Sequence, residues 1–166
     1  MPSNTRRWTL IDDVEMIRDS NEAANIRPAM PDDRAGLMAV VDASGLFPPG
    51  ELEEVSNLLA DYFAGNLGSD HFWITDDDGE GPVGVAYYAP ERMTNGTWNL
   101  YLIAVHPDHQ GEGRGAALLR HVEQTLANRG ERLLLVETSG LASFGATRAF
   151  YRKCGYDEEA RIRSLL

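Results

Sequence analysis

The sequence predicts a mixed α/β fold in a single domain, and three observations predict it. The first is size: 166 residues, 43% hydrophobic and 25% charged, suit one packed core and leave little room for two. The second is a change of apolar period, from steps of three and four in some segments to strand-like runs in others. The third is a strand–loop–helix–strand unit in the second half, where parallel pairing with a right-handed crossover is expected. The expected architecture is a central mixed sheet, mostly antiparallel, flanked by helices.

Residues 1–24 are polar and charged and read as an N-terminal arm; a frayed terminus and a packed strand both fit it. A short extended segment, Asn25–Arg27, is stopped by Pro28. Pro31-Asp32-Asp33 opens a helix, with its acids beside the positive end of the dipole and Leu37, Val40 and Val41 as its apolar stripe. Pro48-Pro49-Gly50 breaks the chain. Leu52, Val55, Leu58, Leu59, Tyr62 and Phe63 then give a second helix, from Glu51 to about Ala64, one buried face. After Gly65, His71–Thr75 and Pro82–Ala89 form a hairpin around the acidic turn Asp76–Gly81. Thr97–Val105 is the longest strand candidate. A glycine-rich loop, a helix to about Arg129, a strand at Arg132–Thr138, a helix stopped at Gly155 and a last strand at Tyr156–Ile162 complete the order.

Charge and cysteine usage narrow the function classes. There are 26 acidic against 15 basic residues, a formal net charge of −11. A chain so acidic is repelled by phosphate backbones and anionic lipid, so neither nucleic acid nor membrane is an expected partner, and cationic small substrates are favoured. Lys153 is the only lysine and Cys154 the only cysteine, which excludes an intrachain disulfide. No apolar run reaches signal-peptide or membrane-span length, and a cytoplasmic protein is expected.

The informative stretch is Val105–Leu119, VHPDHQGEGRGAALL. Gly111, Gly113 and Gly115 alternate between a strand and a helix with an apolar face. Glycines allow close backbone approach, and a helix start offers unpaired N–H donors with partial positive charge: together a pyrophosphate site, to which Arg114 adds a cation. Three readings meet here. The glycines alone are consistent with a tight turn. Gly111-x-Gly113-x-x-Ala116 fits a dinucleotide fingerprint formally, with Glu137 near the ribose-binding spacing. Against that, five residues separate the strand from Gly111, and only 29 follow Glu137. The third reading joins two motifs. Gln110–Gly115 has the form Q-x-x-G-x-G after a strand ending Val105-His-Pro, and Tyr151–Tyr156 has the form Y-x-x-x-G-[FY] downstream.

This pair, with the opening Ile26-Arg27-Pro28-Ala29, resembles the GNAT superfamily of N-acetyltransferases over about residues 25–162. The resemblance implies one N-acetyltransferase domain at 25–166, with acetyl-CoA as co-substrate and no metal. It implies that the pyrophosphate lies on Gln110, Gly111, Glu112, Gly113, Arg114, Gly115 and Ala116, and that pantetheine runs beside Ile103, Ala104 and Val105. Acetyl transfer is then direct attack of a neutral amine on the thioester. Tyr151 takes the place of the family's acid. Asn99 stands where many members carry a glutamate, so the base passes to Glu137, which resembles a glutamate that protein-acetylating members use, or to a chain of water. The acceptor, a small-molecule amine or a protein amine, is left open, with segments Phe47–Ala64, Tyr88–Trp98 and Ser139–Ala146 around its site. The alternative is a non-catalytic acyl-CoA sensor of the same fold, motivated by Asn99, by Phe144 in place of an expected asparagine, and by the C-terminus. A seventh strand, common in the family, is lacking after the last expected one. A shorter sheet, a second copy of the chain in a homodimer, or a truncated C-terminus would each account for it.

Other chemistry-bearing residues carry less. His106 and His109 read as solvated rather than as a metal pair, and His71 and His121 have no partner evident in the sequence. Cys154 reads as a packed small hydrophobe, and Asp76–Glu80 as a solvated turn.

Overall fold

The computed structural model describes residues 4–9, 25–139 and 145–163. Seven strands make one sheet: β1 (Asn4–Thr9), β2 (Ile26–Pro28), β3 (Phe72–Asp77), β4 (Pro82–Pro90), β5 (Thr97–Val105), β6 (Leu133–Ser139) and β7 (Asp157–Arg163). Their order across the sheet is β2-β3-β4-β5-β6-β1-β7. Four helices flank it: α1 (Arg34–Ala43), α2 (Pro49–Phe63), α3 (Arg114–Asn128) and α4 (Gly145–Lys153). The expected mixed sheet is present, with β5 and β6 parallel and every other neighbouring pair antiparallel.

Alternation along the strands splits the core in two. Val85, Tyr87 and Ala89 of β4 join Trp73, Leu102 and Ala104 under Leu37, Val40, Val41, Val55 and Leu59 of α1 and α2. Ala86 and Tyr88 join Ile74, Trp98 and Leu100 on the opposite face, beneath Leu118, Leu119 and Val122 of α3. In β5, residues 98 and 100 face α3 whereas 102 and 104 face α1 and α2. Strict alternation forbids that, and a bulge resolves it: Tyr88 pairs with Leu100 and Tyr87 with Leu102, leaving Tyr101 as the extra residue.

Element boundaries follow local chemistry. Proline removes a donor that the first turn of a helix does not use, so Pro49 begins α2 where Pro48-Pro49-Gly50 reads as a break. Gly155 ends α4 with φ +92°, where a side chain would be strained. Arg27 joins three elements: it donates to Asp33 (2.7 and 2.9 Å), in the short turn before α1, and to Asp77 (2.8 Å) at the end of β3.

The seventh strand comes from the start of the chain. Among the described residues no strand follows β7, yet β1 lies between β6 and β7. It pairs from Thr5↔Ser139 to Thr9↔Leu135 on one side and from Asn4↔Arg163 to Thr9↔Asp157 on the other. Of the two readings of residues 1–24, the packed strand applies to 4–9; residues 10–24 lie outside the described part.

Candidate active site

The site starts where two strands part. Between β5 and β6 the ladder runs from Thr97↔Leu133 to Leu100↔Val136 and stops there. Beyond the fork, Ile103, Ala104 and Val105 border an open cleft of about 930 Å³. Gln110, Gly111 and Gly113–Ala116 form its mouth; Leu119, Arg120 and Glu123 of α3 one wall; Phe150, Tyr151 and Cys154 another; Ser44 and Leu46 the α1–α2 end. Glu112 does not line it. Ser139–Ala146 falls largely outside the described residues, as does Phe144.

The mouth is a helix start. Gly111 and Gly113 take φ +79° and +81°, and no side chain caps α3. Its first-turn N–H groups therefore point outward without partners in the helix. Gly115 faces the Phe150 ring, where a Cβ would sit in van der Waals contact at 3.4 Å. Gln110 Nε2 donates to the Val105 carbonyl (3.1 Å), tying the loop to the end of β5.

Arg114 is placed at the mouth, but its charge is engaged. Its Nη1 donates to both oxygens of Asp76 (3.1 and 3.0 Å) and its Nε to Glu112 (2.9 Å). Asp76 is 3% exposed and does not belong to a solvated turn. Nor are its neighbours idle: Asp77 accepts from Gly79 and Gly81 and from Arg27, and Asp78 lies 3.7 Å from His109. His109 is thus set between the Asp78 and Glu112 carboxylates rather than solvated, while His106 Nδ1 accepts from Asp108 N–H. With Arg114 committed to two carboxylates, what the loop itself offers an anion is its backbone N–H donors and the helix dipole.

Tyr151 is 4% exposed and borders both the cleft and the core, where it meets Tyr156 edge-on at 5.9 Å. Burial pushes its pKa up, so the phenol stays protonated at ordinary pH. Glu123, which the sequence reading missed, accepts from Tyr156 OH (2.7 Å), and burial raises its carboxyl pKa. An acid four residues after Leu119, on the apolar stripe, was the available signal. Burial also raises the thiol of Cys154, half-buried beside these groups. Glu137 lies on β6 opposite Arg7, two residues past Leu135, the register partner of Asn99. Its side chain lies outside the described residues. Asn99 is buried and donates to Glu91. Among the described residues no group of three metal-ligating side chains occurs, and no helix is long and apolar enough to cross a membrane.

The family profile described as Acetyltransferase (GNAT) domain matches residues 68–158. A solved structure assigned to that family, from Desulfovibrio desulfuricans, is 33% identical, covers 81% of this chain and 86% of its own, and superposes with a TM-score of 0.77. The chain belongs to the GNAT acetyltransferase family. Within that family it is similar to the [ribosomal protein bS18]-alanine N-acetyltransferase of Escherichia coli (strain K12), 42% identical over 79 residues. That match covers 48% of this chain and 51% of the relative, so the chain spans about half the length of the curated relatives it matches. The crystal structure of the ribosomal-protein-S18-alanine N-acetyltransferase from Escherichia coli is 26% identical, covering 81% of this chain and 78% of its own with a TM-score of 0.63. The glycine loop, Gln110–Gly115, lies within the residues that the GNAT profile matches.

Proposed function

We propose that this protein transfers the acetyl group of acetyl-CoA to a primary amine, with the amino terminus of a peptide or protein as acceptor. The observation that carries this reading is the open cleft that runs from the β5–β6 fork to the uncapped start of α3, with Tyr151 in its wall. The similarity to alanine N-acetyltransferases supports the acceptor class.

The chain's own groups suit each step. Backbone N–H groups of Gly111–Ala116 hold the pyrophosphate, and the free edge of Ile103–Val105 holds the pantetheine arm. A backbone N–H of that edge stabilises the oxyanion. The neutral amine attacks the thioester carbonyl, forming the C–N bond; the tetrahedral intermediate collapses with cleavage of C–S. An alkylamine is mostly protonated near neutrality, so a base must take its proton, and Glu137 is the carboxylate we assign to that. Tyr151 hands its proton to the sulfur as the C–S bond breaks and regains one from the proton the attacking nitrogen sheds, so that no buried phenolate is left. Its raised pKa makes free phenolate costly, so transfer runs in step with bond cleavage.

Two measurements test the reading. Acetyl-CoA should raise the melting temperature while NADH does not; ligand at about 100 times its Kd adds roughly 2.7 kcal/mol. Thiol should be released when an alanyl peptide is added, and Glu137→Gln should cut that release most strongly at low pH. Binding without thiol release from any amine would leave the acyl-CoA sensor.

A further inference from the structure

The cleft accounts for the cofactor, and a separate polar cluster stands beside the fork on the α1/α2 face. Register partners share a face, so Asn99, opposite Ala89, looks to the same side as Tyr87 and Ala89. Asn99 is 4% exposed; its Nδ2 donates to Glu91 and lies 3.4 Å from the Tyr101 hydroxyl. Tyr101, the bulge residue, is 57% exposed and meets Tyr87 edge-on at 5.5 Å. The Tyr87 hydroxyl is 2.5 Å from His71 Nδ1. Trp73, edge-on to Tyr87 at 4.5 Å, is 1% exposed, and its Nε1–H has no partner. None of these residues lines the cleft itself, but Asn99 and Tyr101 flank Leu100, the last residue of the β5–β6 ladder, so the cluster stands at the fork from which the cleft opens.

Stability alone does not call for this arrangement. A buried amide and an unsatisfied indole N–H each cost free energy that apolar side chains would not. What the cluster offers is recognition: a partly exposed carboxylate fixed by an amide, beside two phenol rings, matches an ammonium group. It also rejects. An acceptor with its own carboxylate one carbon from the amine would bring like charge against Glu91.

We propose that Glu91, fixed by Asn99, whose amide also approaches the Tyr101 hydroxyl, is the acceptor subsite, and that it selects amines whose neighbouring carboxyl is blocked, as in a peptide, over free amino acids. This rests on the acetyl-transfer reading above and narrows its acceptor. Glu91 binds the ammonium form; removal of the proton is a separate task.

The experiment compares kcat/KM for alaninamide, an alanyl tetrapeptide and alanine in wild type, Glu91→Gln and Tyr101→Leu, with acetyl-CoA affinity measured for each. Wild type should prefer alaninamide to alanine by about tenfold or more. Glu91→Gln should lower that ratio by about tenfold, mainly through the amide's KM, with acetyl-CoA affinity unchanged. Tyr101→Leu, at an exposed position, should raise the amide's KM without improving alanine. An unchanged ratio in Glu91→Gln, or equal use of alanine and its amide by wild type, overturns the subsite while leaving acetyl transfer intact. Acetyl-CoA binding with no turnover of any of the three overturns acetyl transfer, and the subsite with it.

Discussion

Tyr151 and Asp76 show how differently single residues declare themselves. Tyr151 is legible because it stands at a fixed distance before Gly155, and its burial in the cleft wall makes it part of the packing as well as the acid proposed above. Replacing it with phenylalanine removes one hydroxyl and little volume. Tyr151→Phe should therefore keep acetyl-CoA affinity and the melting temperature while lowering kcat by roughly 100-fold or more, the usual reach of one positioned acid. Steady-state kinetics beside calorimetric titration with acetyl-CoA check this; unchanged kcat would remove Tyr151 from proton transfer. Asp76 was not legible. Its partner Arg114 is 38 residues away, and within the run Asp76–Asp78 nothing marks which acid turns inward. The sequence offers Arg114 as a cation for phosphate, whereas the fold commits that charge to Asp76 and Glu112.

At the scale of elements, periodicity serves for the helices, which bury one face, whereas the hairpin strands are buried on both faces and declare themselves by aromatic and β-branched runs. The bulge at Tyr101 was invisible, since Thr97–Val105 is apolar or aromatic at most positions and gives no sign of where alternation inverts. The Arg27 junction was equally hidden, its acids lying 6 and 50 residues away. It makes a pH prediction. Hydrogen bonds from Arg27 hold both Asp33 and Asp77 below the usual aspartate range. A carboxyl whose pKa is lower folded than unfolded binds fewer protons in the native state. Its stabilisation is therefore full above the unfolded value, about pH 4, and is lost as pH falls toward the folded one. Arg27→Met should lower stability at pH 7 by on the order of 1 kcal/mol, since Arg27 is partly exposed and screened. The gap from wild type should close on acidification below about pH 4. Urea melts at pH 7 and pH 3 measure it, and a gap that persists at low pH would assign the effect to lost packing of the arginine stem.

The whole molecule is tied together by its first strand. From the sequence, the sheet was expected to end one strand short, and three remedies were open; the chain supplies a fourth by placing Asn4–Thr9 between β6 and β7. No local signal foretells this, because strand order is settled by which edges remain unpaired after the rest has folded. The consequence reaches the site. β6 pairs with β5 over four residues, Leu133–Val136, and with β1 over five, Leu135–Ser139. Past the fork, then, β6 is held in its ladder by β1, and that is the stretch that carries Glu137. Proline inside a strand paired on both sides removes a ladder hydrogen bond, so Arg7→Pro should lower the melting temperature and weaken acetyl-CoA binding together. Deleting residues 1–9 should do the same and bare the edges of β6 and β7, making the protein prone to self-association through them. Differential scanning fluorimetry with and without acetyl-CoA, beside light scattering, reads all three effects, and adding a peptide of residues 1–9 should restore part of the lost stability. A deleted protein that melts, binds and stays monomeric as the full chain does would show that β6 keeps its place through β5 alone.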